Sequence, residues 1–197
     1  MFISFEGIDK SGKTTQAKLL ADFLLEKNYP VVLTKEPGGT LPGEKIKGII
    51  LKESLITPLC ELFLYLADRA QHVEKVIKPA LKKGKIIISD RYADASLAYQ
   101  GYGRGIPIEF IKKLNLEATG GIEPDITFLL DIEPERSFLR EGKSDRIENE
   151  NLRFYKRVRE GYLEIAKLNP DRFIVIKADA HFLKVHQKVK SIILKEL

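Results

Sequence analysis

The stretch Gly7-Ile8-Asp9-Lys10-Ser11-Gly12-Lys13-Thr14 sets two glycines, a lysine and a hydroxyl residue at the spacing G-x-x-x-x-G-K-[ST]. A loop of this kind holds a polyphosphate. Backbone N–H groups and the positive end of the following helix surround the phosphate, and only small or flexible residues let the backbone close in. Lys13 is placed to reach the β- and γ-phosphates. The Thr14 hydroxyl is placed on Mg²⁺, an ion that keeps several waters and borrows phosphate oxygens. Residues 7–15, Thr15 included, are the expected nucleoside triphosphate site. Asp9 is the odd member, because a carboxylate inside an anion-binding loop repels the anion. It is expected to point elsewhere and accept a hydrogen bond from a hydroxyl of a second substrate, while Lys10 assists the phosphates.

Asp90-Arg91-Tyr92 forms a second constellation at the end of an apolar run. Asp90 can orient Mg²⁺ or its waters, and Arg91 can grip a phosphate bidentately. Asp131 also ends an apolar run, so the metal has two candidate carboxylates. With Tyr92 to Gln100 helical, Ser96, Tyr99 and Gln100 fall at i, i+3 and i+4 and offer hydroxyl, ring and amide to a flat polar ligand. Tyr65 and Arg69 make another i, i+4 pair beside a stripe of Leu59, Leu62, Phe63, Leu66 and Ala70 that is predicted to face the core. A ring and a cation off that stripe suit stacking and hydrogen bonding to a base.

These groups need elements to carry them. Apolar, β-rich runs at Met1–Glu6, Val31–Thr34, Lys85–Ser89, Ile126–Asp131 and Phe173–Lys177 are spaced for helical crossovers, which predicts an α/β fold on a parallel sheet. Phosphate loop and Asp90-Arg91 then share the carboxyl edge, where open α/β sheets bind ligands. Helices are predicted from Lys13, from the cap Thr57 with Pro58 to a stop at Gly84, from Pro107 to Ala118, over Asn149–Leu168 and over Ala180–Leu197. Pro79 is expected to kink the second of these. Between Glu133 and Glu148 the chain carries both charge signs around Gly142, the pattern of a mobile lid.

At 197 residues, 44% hydrophobic and 31% charged, with no repeat, the chain reads as a single domain, 1–197. No apolar run reaches the length of a membrane span, and MFISFEG lacks a basic leader, so a cytoplasmic location without membrane partners is expected. Net charge is +5, yet basic residues cluster only modestly, as at Lys82-Lys83-Gly84-Lys85, which reads as a surface helix end and not a nucleic-acid groove. Cys60, the one cysteine, is expected to be a buried helix residue. His181 and His186 are expected in solvent, and no protein-built metal site is predicted.

FEGIDKSGKTTQ (Phe5–Gln16), TKEPGGT (Thr34–Thr40), ADRAQHVE (Ala67–Glu74), SDRYADASLAYQGYGRG (Ser89–Gly105), PDITFLLD (Pro124–Asp131) and SDRIE (Ser144–Glu148) together resemble bacterial thymidylate kinase over nearly the whole chain. The resemblance implies ATP- and Mg²⁺-dependent phosphorylation of dTMP to dTDP. The implied fold is a three-layer P-loop nucleoside monophosphate kinase with a five-stranded parallel sheet, a short lid at about 133–148 and a homodimeric assembly. It implies that Tyr65 stacks on thymine, Arg69 bonds its edge, and Ser96 and Gln100 lie beside it. Arg91 would hold the acceptor phosphate, Asp9 would meet the sugar 3′-hydroxyl and Tyr99 would block a ribose 2′-hydroxyl. Arg140, Lys143 or Arg146 would come over the ATP phosphates from the lid, in competition with Lys10. Lys35 stands where such loops often carry arginine. A P-loop kinase for another acceptor, or a nucleotide-binding switch, is the alternative; no guanine-reading N-K-x-D is present.

Overall fold

A computed structural model describes residues 1–53, 55–140 and 145–197. The five apolar runs form strands β1 (Phe2–Glu6), β2 (Val31–Lys35), β3 (Ile86–Asp90), β4 (Ile126–Asp131) and β5 (Phe173–Lys177), each within a residue of its sequence expectation. All pair parallel, in the order β2-β3-β1-β4-β5. Every residue of β1 and β4 is buried, as a parallel sheet covered on both faces requires. The chain fills one side of β1 before crossing to the other, and this switch opens a crevice at the carboxyl ends of β1 and β3.

Helix α1 (Lys13–Glu26) starts directly from the phosphate loop, with Gly12 at φ 102°. Helix α2 (Leu41–Lys52) was not foreseen, although its start is written in the chain: Thr40 accepts from Gly43 N at 3.0 Å and Pro42 sits in the first turn. Helix α3 (Pro58–His72) is capped by Thr57. The expected kink resolves into a π-helical turn, Val73–Ile77, that runs without a break into α4 (Lys78–Lys82), where Pro79 is the second residue. Beyond β3, α5 (Ala93–Ser96) runs into a π-helical segment, Leu97–Gly103. The rest are α6 (Ile108–Thr119), α7 (Pro134–Phe138), α8 (Leu152–Leu168), capped by Asn151, and α9 (Phe182–Glu196). Among the described residues, no helix is long and apolar enough to cross a membrane.

Three burial expectations are corrected. Leu62 and Leu66 of α3 are buried, but Leu59 and Phe63 are 45% and 49% exposed; the inward face of α3 instead carries Glu61, Asp68, Arg69 and His72. Glu61, Arg69 and His72 are tolerated there because partners from other elements meet them, as described below. Asp68 accepts from Gly38 N at 3.1 Å through Oδ1, its buried Oδ2 meets no described partner, and burial raises its carboxyl to about 6. Cys60, on the same outward part of α3, is exposed. His186 is 8% exposed, packed edge-on against Phe23 of α1, while His181 is exposed as expected.

Two glycines let α8 lie against the π-helical segment. A Cβ on Gly103 would meet the Phe154 ring at 2.7 Å, and one on Gly161 would meet the root of the Tyr102 ring at 2.5 Å. Ring roots cannot swing aside. For Gly161→Ala the helix-propensity gain of about 1 kcal/mol is therefore outweighed by overpacking of about 1–3 kcal/mol. The variant is expected to unfold at lower urea concentration than the parent, with an unchanged m-value.

Candidate active site

The phosphate loop links β1 to α1 at the crevice. Gly7, at φ 138°, has no room for a Cβ, which would stand 2.6 Å from Leu130 O. Lys13 is 6% exposed and donates to Ile8 O at 2.8 Å and Ser11 Oγ at 3.4 Å. Burial, with the Arg91 charge adding to it, pushes its ammonium down to about 8, so a bound phosphate would favour the charged form. The Thr14 hydroxyl donates to Asp90 Oδ2. Asp131 is excluded as the partner of this hydroxyl, because its carboxylate is taken by Arg159 Nε at 2.6 Å and Lys177 Nζ at 2.5 Å.

Asp9 does turn away from the centre of the loop. Its Oδ1 accepts from Arg91 Nη2 at 2.5 Å, and its Oδ2 from Tyr99 at 2.9 Å and Tyr155 at 2.8 Å. Burial alone would raise this carboxyl, but the Arg91 and Lys13 charges and both phenols hold it below the usual carboxylate range. Arg91 itself, at φ 72°, also donates to Gly7 O at 3.0 Å and Tyr162 at 3.2 Å. Beneath it Glu6 accepts from Tyr92 N and Tyr162, both at 2.7 Å; burial first, then Asp94, raises its carboxyl to about 8. Tyr155 and Glu6 were not singled out from sequence: Tyr155 lies outside every motif, and Glu6 reads as the end of an apolar strand.

A cavity of about 310 Å³ opens beside this cluster, lined by Asp9, Arg91, Tyr65, Ser96, Tyr99 and Gln100 among others. That is the lower end of the range for small-molecule sites. The face Ser96-Tyr99-Gln100 is thus brought together as expected, though on a π-helical segment. Pro37, Lys47 and Asp145, to which the sequence assigned no role, complete the walls. Arg69 differs from its expectation as an open face of α3: it is 1% exposed. It donates to Glu36 Oε2 at 2.8 Å, Ser96 Oγ at 3.0 Å, Asn115 Oδ1 at 2.7 Å and Tyr92 O at 3.1 Å. Guanidinium has five N–H groups, so among the described residues one is left. Glu36 also binds His72 Nδ1 at 2.9 Å, and His72 Nε2 meets Thr34 Oγ1 at 2.6 Å.

The cations expected over the phosphates separate. Arg140 lies on the loop, donating to Lys10 O at 2.9 Å and Ala178 O at 2.6 Å, and it lines a further cavity of about 260 Å³ with Gly12, Thr15, Ala180 and Phe182. Lys10, at φ 59°, pairs with Glu148 at 3.5 Å. Arg146 corrects its expectation: it donates to Ile50 O at 2.9 Å and Glu61 Oε2 at 2.5 Å, drawn to a buried carboxylate on the far side of the cavity. Lys143 lies outside the described residues. Lys35 pairs with Glu44 at 2.9 Å, and that bond raises its ammonium.

Among the described residues no cluster of three or more carboxylate, histidine or cysteine side chains is poised to hold a metal. One hydroxyl beside one carboxylate, Thr14 and Asp90, nevertheless suits Mg²⁺, a hard ion that takes oxygen ligands and completes its shell with waters and substrate phosphates.

Comparison with known proteins gives the family. The family model for thymidylate kinase matches residues 5–189. A thymidylate kinase of Thermoanaerobacter sp. (strain X514) is 47% identical over 199 residues, covering 100% of this chain and 98% of the relative. That of Maridesulfovibrio salexigens is 48% identical over 209 residues, covering 100% and 96%. The crystal structure of thymidylate kinase from Ehrlichia chaffeensis superposes with a TM-score of 0.82 at 42% identity, covering 98% of each chain. The chain belongs to the thymidylate kinase family, and its activity is the phosphorylation of dTMP to dTDP at the expense of a nucleoside triphosphate.

Proposed function

We propose that ATP is the donor, that its γ-phosphoryl group passes to a phosphate oxygen of dTMP, and that the Asp9–Arg91 cluster sets the line of transfer. The observation that carries this reading is the position of Arg91, whose guanidinium bonds both the loop carbonyl of Gly7 and Asp9 while facing the cavity. A group that grips an acceptor phosphate there stands next to the donor cradle. The attacking oxygen is already largely anionic near pH 7, its second pKa being about 6, so alignment and charge neutralisation suffice without a general base.

Lys13 supports the transferring group, Lys10 and Arg140 add positive charge from the loop and the lid, and Arg91 offsets repulsion between the two anions. Thr14 and Asp90 would hold Mg²⁺, which would supply neutralisation of the phosphate charge. In the cavity of about 310 Å³, Tyr65 stacks on thymine and Ser96 and Gln100 run along the ring. Arg69 offers its remaining N–H to the base edge. Asp9 keeps lone-pair capacity for the sugar 3′-hydroxyl, and Tyr99, held on Asp9, crowds a 2′-hydroxyl. Adenine fits the cavity between Arg140, Ala180 and Phe182.

The chain is read as one domain in which 133–148 serves as the lid; the Arg140 bond to Lys10 O and the Lys10–Glu148 pair support it by tying Arg140 and Glu148 to the loop. A homodimer is supported by Leu59 and Phe63, one turn apart on α3 and exposed, with Phe110 outward on the adjoining α6. The mixed surface charge and the lone cysteine favour a cytoplasmic enzyme without nucleic-acid partners.

Purified protein offered Mg-ATP with dTMP, dUMP, dCMP and thymidine in parallel is expected to release ADP fastest with dTMP and to form dTDP. The methyl group that separates dUMP from dTMP is worth only about 1–3 kcal/mol, so dUMP should react more weakly but measurably. Absence of dTMP-dependent ADP release from folded protein would end this reading. Arg91→Ala is expected to lower kcat/KM for dTMP by about 10²–10³-fold while ATP affinity, read by fluorescence titration, stays within about threefold. Phe63→Glu is expected to convert the dimer to monomer in sedimentation velocity. A variant of unchanged mass would show that α3 is not the interface.

A further inference from the structure

Glu61 is a buried carboxylate that the reaction does not use. Its side chain is 1% exposed, on the first turns of α3. Oε1 accepts from Gln100 Nε2 at 2.9 Å and Arg104 Nε at 3.2 Å. Oε2 accepts from Arg104 Nη2 at 3.2 Å and Arg146 Nη2 at 2.5 Å. Arg146 is anchored in turn on Ile50 O, and Arg104 on Glu150. Burial would raise this carboxyl, but the bonds from Arg104, Gln100 and Arg146 hold it below the usual range, so it is ionised at neutral pH.

An ionised carboxylate accepts hydrogen bonds and donates none. The Gln100 amide beside it must therefore turn its NH₂ toward Glu61. Gln100 is 2% exposed and lines the cavity of about 310 Å³, and no described donor meets its Oε1. The amide oxygen is thus the end left for a ligand. With a neutral partner at position 61 the amide could rotate by half a turn and present NH₂ instead, since both orientations fill the same space.

We propose that Glu61 is a positioning residue for base selection: by fixing the Gln100 amide with its oxygen toward the cavity, it makes that wall a hydrogen-bond acceptor. A thymine or uracil ring presents N3–H to such a wall. Cytosine presents a bare N3 there, acceptor against acceptor, and is rejected. The two arginines take part indirectly, by keeping Glu61 charged inside the protein. The inference rests on the placing of the base against Gln100 in the proposed function.

Kinetics of the whole enzyme with dTMP and dCMP test it, using Glu61→Gln, the charge-retaining Glu61→Asp in case the first does not fold, and Gln100→Leu. Glu61→Gln is expected to raise KM for dTMP about tenfold, the scale of one lost hydrogen bond, with kcat within about twofold. The dTMP-to-dCMP ratio of kcat/KM should narrow by about tenfold or more. Glu61→Asp, which withdraws the carboxylate from Gln100 by one methylene, should shift the same two quantities in the same direction and less. A role confined to folding would lower the melting temperature of both Glu61 variants and leave KM and the base ratio unchanged, which overturns the proposal. If those values stay unchanged while Gln100→Leu alters them, the role of Glu61 alone fails. If Gln100→Leu also leaves them unchanged, the placing of the base fails with it.

Discussion

The ion pair between Asp9 and Arg91 is the contact on which the carboxyl edge of the sheet depends. Its two residues come from different strands, one three residues after β1 and the other directly after β3, and it closes the crevice between them at 2.5 Å. Arg91 reaches it only by adopting φ 72°, a left-handed conformation that costs a non-glycine residue on the order of 1–3 kcal/mol. Bonds from Arg91 N to Phe5 O at 3.0 Å and from its guanidinium to Gly7 O offset that strain. Two phenols then converge on the same carboxylate, Tyr99 from the π-helical segment and Tyr155 from α8. The close approach of α8 through Gly103 and Gly161 is what brings Tyr155 within reach. Packing well away from the phosphate loop thus sets the geometry of the Asp9–Arg91 pair beside it.

Much of this edge was legible in the sequence because its constraints are local. Glycine at 7 and 12 answers a backbone demand that only spacing expresses, and parallel strands buried on both faces appear as unbroken apolar runs. Asp90 could be read as a strand-end carboxylate; choosing it over Asp131 needed the structure, which shows Asp131 consumed by Arg159 and Lys177. Helix α2 had cap signals at Thr40 and Pro42 but follows β2 across a glycine-rich loop, where the turn residues mask them.

Helix α3 was misread for a physical reason. Periodicity assumes that the buried face is the apolar one. Here the inward face must carry polar groups, because it forms a wall behind a polar cavity, and two of them are compensated by partners remote in sequence: Glu36 for Arg69, and Gln100, Arg104 and Arg146 for Glu61. Such pairs leave no local pattern. The displaced apolar residues, Leu59 and Phe63, appear outside instead. The same long-range pull explains Arg146, which as an isolated cation near the lid looks suited to phosphates but is held by a carboxylate on the opposite wall.

The distribution of carboxylates also decides which kind of acceptor the site can serve. A kinase acting on a nucleoside or another alcohol needs a base to take the hydroxyl proton; of the carboxylates that line the cavity, Asp9 belongs to the phosphate loop and Asp90 bonds it through Thr14. Asp9 is bonded by a guanidinium and two phenols and is held below the usual carboxylate range, which makes it a weak proton acceptor. Asp90 accepts the Thr14 hydroxyl of the phosphate loop. Glu6, whose raised value near 8 would suit proton transfer, is fully buried under Tyr92 and Tyr162 and lines no part of the cavity. A phosphate acceptor brings its own anionic oxygen and needs none of these groups as a base. It needs a cation at its binding place, the part proposed for Arg91.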